Sequence, residues 1–164
     1  MMQVVMGDIT SFPTQAIVNS ANPSLLAGGG VCGAIHRAAG PELEKSCRLI
    51  GRIEPGQAVV TPAFNLPAEY VIHAVAPRYL DGKHGEEEKL RETYRSLCRA
   101  IADNNVKNVT IPSIGTGIYR FPLKTAASIA VESLRINLPD NCDAKIVCFD
   151  TATETAYREA LGLG

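Results

Sequence analysis

Three consecutive glycines, Gly28 to Gly30, stand directly before the start of a predicted helix, in a segment, GGGVCGAIHRAAG (28–40), that also carries Cys32 and His36. A second glycine-rich stretch, PSIGTGIYRFP (112–122), lies much further along the chain. Glycine adopts positive φ freely and has no side chain to block close approach, so such segments can curl backbone N–H groups around an anion. Two of them facing each other would suit a diphosphate. Either stretch alone is also consistent with glycines that only make a tight turn; a pair on one sheet edge argues for a ligand.

Familiar nucleotide motifs do not account for them. Gly28, Gly30 and Gly33 spell GxGxxG, but that dinucleotide fingerprint follows its strand at once and has an acidic residue ending the next strand about 20 residues on. Here the segment 20–27 separates the strand-like AIVN (16–19) from Gly28, and Glu54 precedes the following strand. Hydride transfer is therefore not indicated. A Walker A loop is excluded because no GK[ST] follows the glycines.

The elements that must position these loops follow from periodicity. QVVM (3–6), AIVN (16–19), AVVT (58–61), YVIHAV (70–75), NVTIP (108–112) and KIVCF (145–149) read as strands, several apolar on both faces as in a buried sheet. Helices are predicted over 33–39, 41–50, 86–104, 122–136 and 151–161. In the third, Leu90, Tyr94, Leu97, Cys98 and Ile101 share one stripe and Glu86, Glu87 and Glu88 suit the positive end of the helix dipole. Pro41 suits a first helical position. This alternation predicts an α/β fold, a three-layer α/β/α sandwich with a largely parallel sheet. Ligands of such sheets sit beyond the carboxyl ends of the strands, where both glycine stretches fall.

With 164 residues, 46% hydrophobic and 20% charged, the chain is expected to form one domain, 1–164. The net charge of -1, without a basic run, gives no electrostatic reason to expect nucleic acid or a membrane surface as a partner. MMQVVMGDIT (1–10) has neither a basic segment nor a long apolar core, so a cytoplasmic protein is expected; a monomer is expected as well. Cysteines 32, 47, 98, 142 and 148 form no CxxC pair and are expected to be reduced thiols rather than disulfides or zinc ligands. No metal and no cofactor is expected.

GDIT (7–10), AIVNSAN (16–22), GGGVCGAIHRAAGP (28–41), VIHAVAP (71–77) and IPSIGTGIYRFP (111–122), in this order and spacing, resemble the successive motifs of macro domains, specifically the MacroD-type branch. The resemblance covers nearly the whole chain. It implies an α/β/α sandwich with a mixed sheet, binding of ADP-ribose, free or attached to protein, and either hydrolysis of mono-ADP-ribose from proteins or deacetylation of O-acetyl-ADP-ribose.

Carried onto this sequence, the resemblance implies a role for each segment. Asp8 is similar to the acid that accepts from the adenine amino group, with the Ile9 N–H serving the ring; a turn cap in GDIT is the alternative. Phe149, ending the last strand, matches the aromatic that packs on adenine, although a core phenylalanine would read the same. The amides of Gly29, Gly30, Val31 and Cys32, and those of Ser113, Gly115, Thr116, Gly117, Ile118 and Tyr119, would cradle the pyrophosphate, with Tyr119 covering the distal ribose. Asn22 resembles the asparagine that holds this ribose beside the scissile carbon; a turn residue before Pro23 is the competing reading. His36 is implied to support the glycine loop. His73, inside a strand, reads as a satisfied interior group, and His84 as solvated.

Cys32 departs from the branch, which usually has aspartate here, credited with positioning or activating the attacking water; alphavirus macro domains are similar to this chain in carrying cysteine. A thiol accepts hydrogen bonds poorly and, with an ordinary pKa of about 8.5, is mostly protonated at neutral pH. The resemblance thus implies Asn22, Cys32 and Tyr119 as the catalytic set of a hydrolase acting by metal-free water attack. A reader module that binds ADP-ribose without cleaving it is the alternative, favoured by Cys32 and opposed by Asn22, the first glycine loop and Tyr119.

Overall fold

A computed structural model describes residues 1–163. In chain order the elements are β1 (Met2–Met6), a 3-10 turn (Ile9–Ser11), β2 (Ala16–Ala21), α1 (Gly30–Ala39), α2 (Pro41–Ile50), β3 (Ala58–Pro62), β4 (Tyr70–Val75), α3 (Glu86–Asp103), β5 (Asn108–Ile111), α4 (Leu123–Asn137), β6 (Asp143–Cys148) and α5 (Thr151–Leu161). The strands form one sheet in the order β1-β6-β5-β2-β4-β3. All neighbours are parallel except the edge pair β3–β4, so the sheet is mixed and largely parallel, as expected.

The strand period of two sorts side chains to opposite faces. Ile17, Val71 and Val75 meet Ile35, Leu43 and Cys47 of α1 and α2 on one side. Val18, Ile72, Ile111 and Ile146 meet Leu90, Tyr94, Leu97, Ala127 and Tyr157 of α3, α4 and α5 on the other. This completes the three layers. Among the described residues, no helix is long and apolar enough to cross a membrane.

Topology creates the crevice. β5 and β2 are adjacent, but β5 continues through α4 to β6 on one side while β2 continues through α1, α2 and β3 to β4 on the other. The loops leaving two neighbouring parallel strands diverge, which opens a cleft at their carboxyl ends.

Two sequence expectations are corrected at this edge. α1 starts at Gly30, not 33, so Cys32 belongs to the first helical turn; Gly29 caps it in extended conformation, and the Gly33 N–H reaches the Gly29 carbonyl at 3.2 Å. Glycine's poor intrinsic helix propensity hid this turn. β6 runs from Asp143 to Cys148, so Phe149 lies one residue beyond the strand and is 74% exposed. The core reading of Phe149 is therefore excluded.

Candidate active site

A cleft of about 450 Å³ lies over the ends of β2, β5 and β6. Asn22, Gly29, Gly30, Val31 and Cys32 form one wall, and Ser113, Gly115, Thr116, Gly117, Ile118 and Tyr119 form the facing one, with Phe149 at the β6 end. The fold thus brings the two glycine loops and the aromatic together. Asp150 is the one charged residue of this lining, so any positive potential comes from backbone N–H groups and the N-termini of α1 and α5.

Local bonds shape the second loop. The buried Tyr157 hydroxyl donates to Ser113 Oγ (3.0 Å), which shares a 2.7 Å bond with Thr116 Oγ1. The Phe121 N–H bonds the Gly115 carbonyl (2.9 Å) and the Arg120 N–H that of Gly117 (3.0 Å), closing a turn with Gly115 at φ +89° and Arg120 at φ +67°. A side chain at Gly115 would press on the Phe121 ring, with its Cβ 3.0 Å from the nearest ring atom. Tyr119 is fastened to the loop after β4 by the Tyr79 N–H (2.8 Å), and the Arg78 guanidinium lies 5.6 Å from its ring centre.

The first loop is fastened to Leu26. Asn22 Nδ2 donates to the Leu26 carbonyl (2.9 Å) while its Oδ1 accepts from the Ser24 hydroxyl (2.6 Å). The Cys32 thiol donates to the same carbonyl at 3.5 Å, and its sulfur accepts from Asn19 Nδ2 at 3.7 Å. Burial raises the Cys32 pKa against the opposing pull of Asn19 and the Gly28 amide. The thiol is therefore neutral at physiological pH even without an anion beside it.

The other expected residues lie outside the lining. Asp8 is exposed and caps the 3-10 turn, its Oδ1 accepting from the Thr10 hydroxyl (2.7 Å) and N–H (2.9 Å), bonds that lower its pKa. Asp8 and the buried Ile9 follow β1 on the same sheet edge, beside β6, to which Gly7 is tied through the Cys148 carbonyl (2.9 Å). His36 makes no hydrogen bond to the glycine loop; its Nε2 is buried without a partner among the described residues, and burial lowers its pKa against the pull of Glu44. The expected support of the loop falls instead to Asn19 and Cys32. His73 is satisfied in the interior, as read from sequence, between Asn19 Nδ2 (3.2 Å) and Thr61 Oγ1 (2.9 Å), and burial pushes its pKa down to about 3. His84 is solvated and bonds Asp81.

Asp81, His84 and Glu86 gather within 4.8 Å, but both Glu86 oxygens are engaged by backbone N–H groups of Leu80, Asp81, Gly82 and His84. Burial alone would raise the Glu86 carboxyl; these bonds hold it far below the usual carboxylate range. Glu86 clamps its own loop.

Sequence reading missed Asp150, a cleft residue that caps α5 by accepting the Thr153 N–H (2.8 Å). The signal was an Asp directly before a helical run, the N-cap pattern.

A three-layer α/β/α fold with a cleft lined by two glycine-rich loops at its topological switch point places the chain among the open α/β domains, whose ligands sit beyond the carboxyl ends of the strands. The chain belongs to the macro domain family, whose model matches residues 18–130. It is 45% identical to O-acetyl-ADP-ribose deacetylase 1 of Pantoea vagans, over 96% of this chain and 96% of that one. It is also 45% identical to an O-acetyl-ADP-ribose deacetylase of Enterobacter cloacae, over 98% and 93%. The Oceanobacillus iheyensis macrodomain solved with ADP superposes with a TM-score of 0.92 at 37% identity, covering 98% of this chain and 89% of that one.

Proposed function

We propose that this protein binds ADP-ribose in the cleft and is a hydrolase of its ester derivatives, releasing acetate from O-acetyl-ADP-ribose by attack of water on the acetyl carbonyl and mono-ADP-ribose from modified acidic side chains of proteins by attack of water on the ribose anomeric carbon, with the side-chain carboxylate leaving. The observation that carries the reading is the convergence of Asn22, residues 29–32, Ser113 and residues 115–119 on one cleft. In this reading the two loops hold the pyrophosphate, Tyr119 covers the distal ribose, Asn22 holds its hydroxyls near the bond to be broken, and Phe149 packs on adenine. Asp8, with the Ile9 N–H, serves the amino edge of that ring. Names of relatives at 44–45% identity over nearly the whole chain support an enzyme over a reader module.

Calorimetry is expected to give micromolar affinity for ADP-ribose, roughly 8 kcal/mol. AMP, which lacks the second phosphate and distal ribose, is expected to bind more weakly. Equal affinities would remove the role assigned to loop 113–119. Loss of acetate from O-acetyl-ADP-ribose, followed by chromatography, tests the activity itself.

Asp8→Ala is expected to weaken ADP-ribose binding by roughly 1–3 kcal/mol, the cost of losing a charged partner of a hydrogen bond. It should leave ribose 5-phosphate binding untouched. Because Asp8 also caps the 3-10 turn, a stability loss of about 1 kcal/mol accompanies it. A mutant with that stability loss and wild-type affinity would reduce Asp8 to a cap.

A further inference from the structure

Asn19, Thr61 and His73 are almost completely buried on the sheet face packed by α1 and α2, where the positions two residues away along their strands are apolar: Ile17, Val59, Val71 and Val75. Buried polar side chains in such a layer persist when they bond one another, and these do so in one continuous chain. The Thr61 hydroxyl donates to the Pro62 carbonyl (3.1 Å), so its oxygen is left to accept from His73 Nε2 (2.9 Å). His73 then carries its proton on Nε2 and accepts at Nδ1 from Asn19 Nδ2 (3.2 Å). The other N–H of that amide reaches Cys32 Sγ (3.7 Å), whose thiol proton is directed to the Leu26 carbonyl (3.5 Å). That carbonyl also receives Asn22 Nδ2 (2.9 Å). Donation therefore runs outward from the Asn19 amide in both directions, through His73 and Thr61 to the backbone of β3 and through Cys32 to the wall of the cleft; Cys47 Sγ also lies 3.8 Å from His73 Nε2, and Asn19 Oδ1 is buried without a partner among the described residues.

We infer that His73 is a positioning residue for the reaction: acting through Asn19, it fixes the Cys32 thiol and the Leu26 carbonyl against which Asn22 is held, so the distal part of the cleft is set from the sheet interior. The assignment of a reaction rests on the function proposed above; the locking of Cys32 does not. It gives Cys32 a definite task. With its proton committed to Leu26 and its sulfur receiving Asn19, the thiol fastens the loop and is not a base for water.

The test uses His73→Leu, which removes both ring bonds at similar volume, and His73→Asn, which keeps an acceptor near the position of Nδ1. Thr61→Val changes shape least and strips the hydroxyl partner from Nε2, leaving it only the Cys47 sulfur at 3.8 Å, so it serves if the leucine variant does not fold. Three quantities are read: turnover of O-acetyl-ADP-ribose, affinity for ADP against ADP-ribose, and the rate of Cys32 alkylation by iodoacetamide, followed by mass spectrometry. For His73→Leu we expect turnover to fall about tenfold, Cys32 alkylation to accelerate about tenfold, and ADP affinity to stay within twofold, since ADP lacks the distal ribose. His73→Asn should recover most of the turnover, and Thr61→Val should move turnover and alkylation in the same directions to a smaller extent. Unchanged alkylation in the leucine and valine variants would overturn the inference. So would an equal loss of ADP and ADP-ribose affinity, which marks general damage to the fold. Faster alkylation in variants of a protein that cleaves nothing would leave the locking of Cys32 standing and overturn the proposed activity instead.

Discussion

Replacing Gly33 by alanine is expected to lower the melting temperature by roughly 4–8 °C and to weaken ADP-ribose binding about 100-fold, equivalent to about 2.7 kcal/mol. Gly33 is buried in the first turns of α1, and a Cβ built there points into the carbonyl oxygen of Gly28, well inside van der Waals contact. The obstacle is backbone, so either the helix or the glycine loop must move. Arg37 Nη1, at 3.1 Å from the same Cβ, is the end of a flexible side chain and can swing away. Overpacking against rigid neighbours costs about 3 kcal/mol, and alanine recovers about 1 kcal/mol of helix propensity over glycine, leaving a net loss of about 2 kcal/mol. For a chain of this length each kcal/mol shifts the melting temperature by roughly 2–4 °C. Affinity falls further than stability because the amides of residues 29–32 are those proposed to receive the pyrophosphate. Gly29→Ala is the comparison: its Cβ meets nothing within 4 Å and its φ of -85° is open to alanine, so only the preference for glycine over alanine at an N-cap is lost and the melting temperature should fall by no more than about 1–3 °C. A Gly33→Ala protein that melts and binds like wild type would mean that the loop does not pack on the helix as described.

This contact illustrates which parts of the molecule the sequence discloses. The stripe of Leu90, Tyr94, Leu97, Cys98 and Ile101 and the apolar runs of β4 and β5 are local patterns, and each found its place in the core. The bounds of α2 and α5 match the reading because Pro41 opens the one and Asp150 stands before the other. The start of α1 was hidden, since a glycine run argues against helix and only the surrounding fold holds it there. Phe149 was ambiguous because an aromatic at a strand end does not reveal whether the strand stops before it. The glycine loops were legible as ligand-binding candidates, but their facing one another depends on β5 lying beside β2 in the sheet. The chain from Thr61 to Cys32 was not legible at all. His73 faces Asn19 across β4 and β2 and neighbours β3 through pairing registers that no short-range pattern encodes.

Asn22→Ala is expected to slow turnover of O-acetyl-ADP-ribose about 100-fold, near 2.7 kcal/mol of transition-state stabilisation, while affinity for ADP changes by less than a factor of two. The side chain is half-buried on the cleft wall and held in place at both ends, by Leu26 at 2.9 Å and Ser24 at 2.6 Å. An amide has two N–H donors and an oxygen with two lone pairs, so one donor and one acceptor site remain uncommitted. A group fixed in advance in this way loses little entropy when it receives a ribose hydroxyl, and its contribution grows where geometry tightens on the way to the transition state. Alanine also gives up the side-chain bonds to Leu26 and Ser24, but the turn keeps its backbone bond from the Leu25 N–H to the Asn22 carbonyl (3.0 Å), and melting curves read how much the loop is loosened. Asn22→Asp separates position from chemistry. It keeps the shape and the Ser24 bond, but a carboxylate cannot donate to Leu26 and would sit against its carbonyl oxygen, so a loss as large as that of alanine is expected. Ser24→Ala removes only the outer restraint and should cost much less. Single-turnover kinetics with melting curves for all three variants decide the matter: an alanine variant that turns over like wild type would return Asn22 to the role of a turn residue before Pro23.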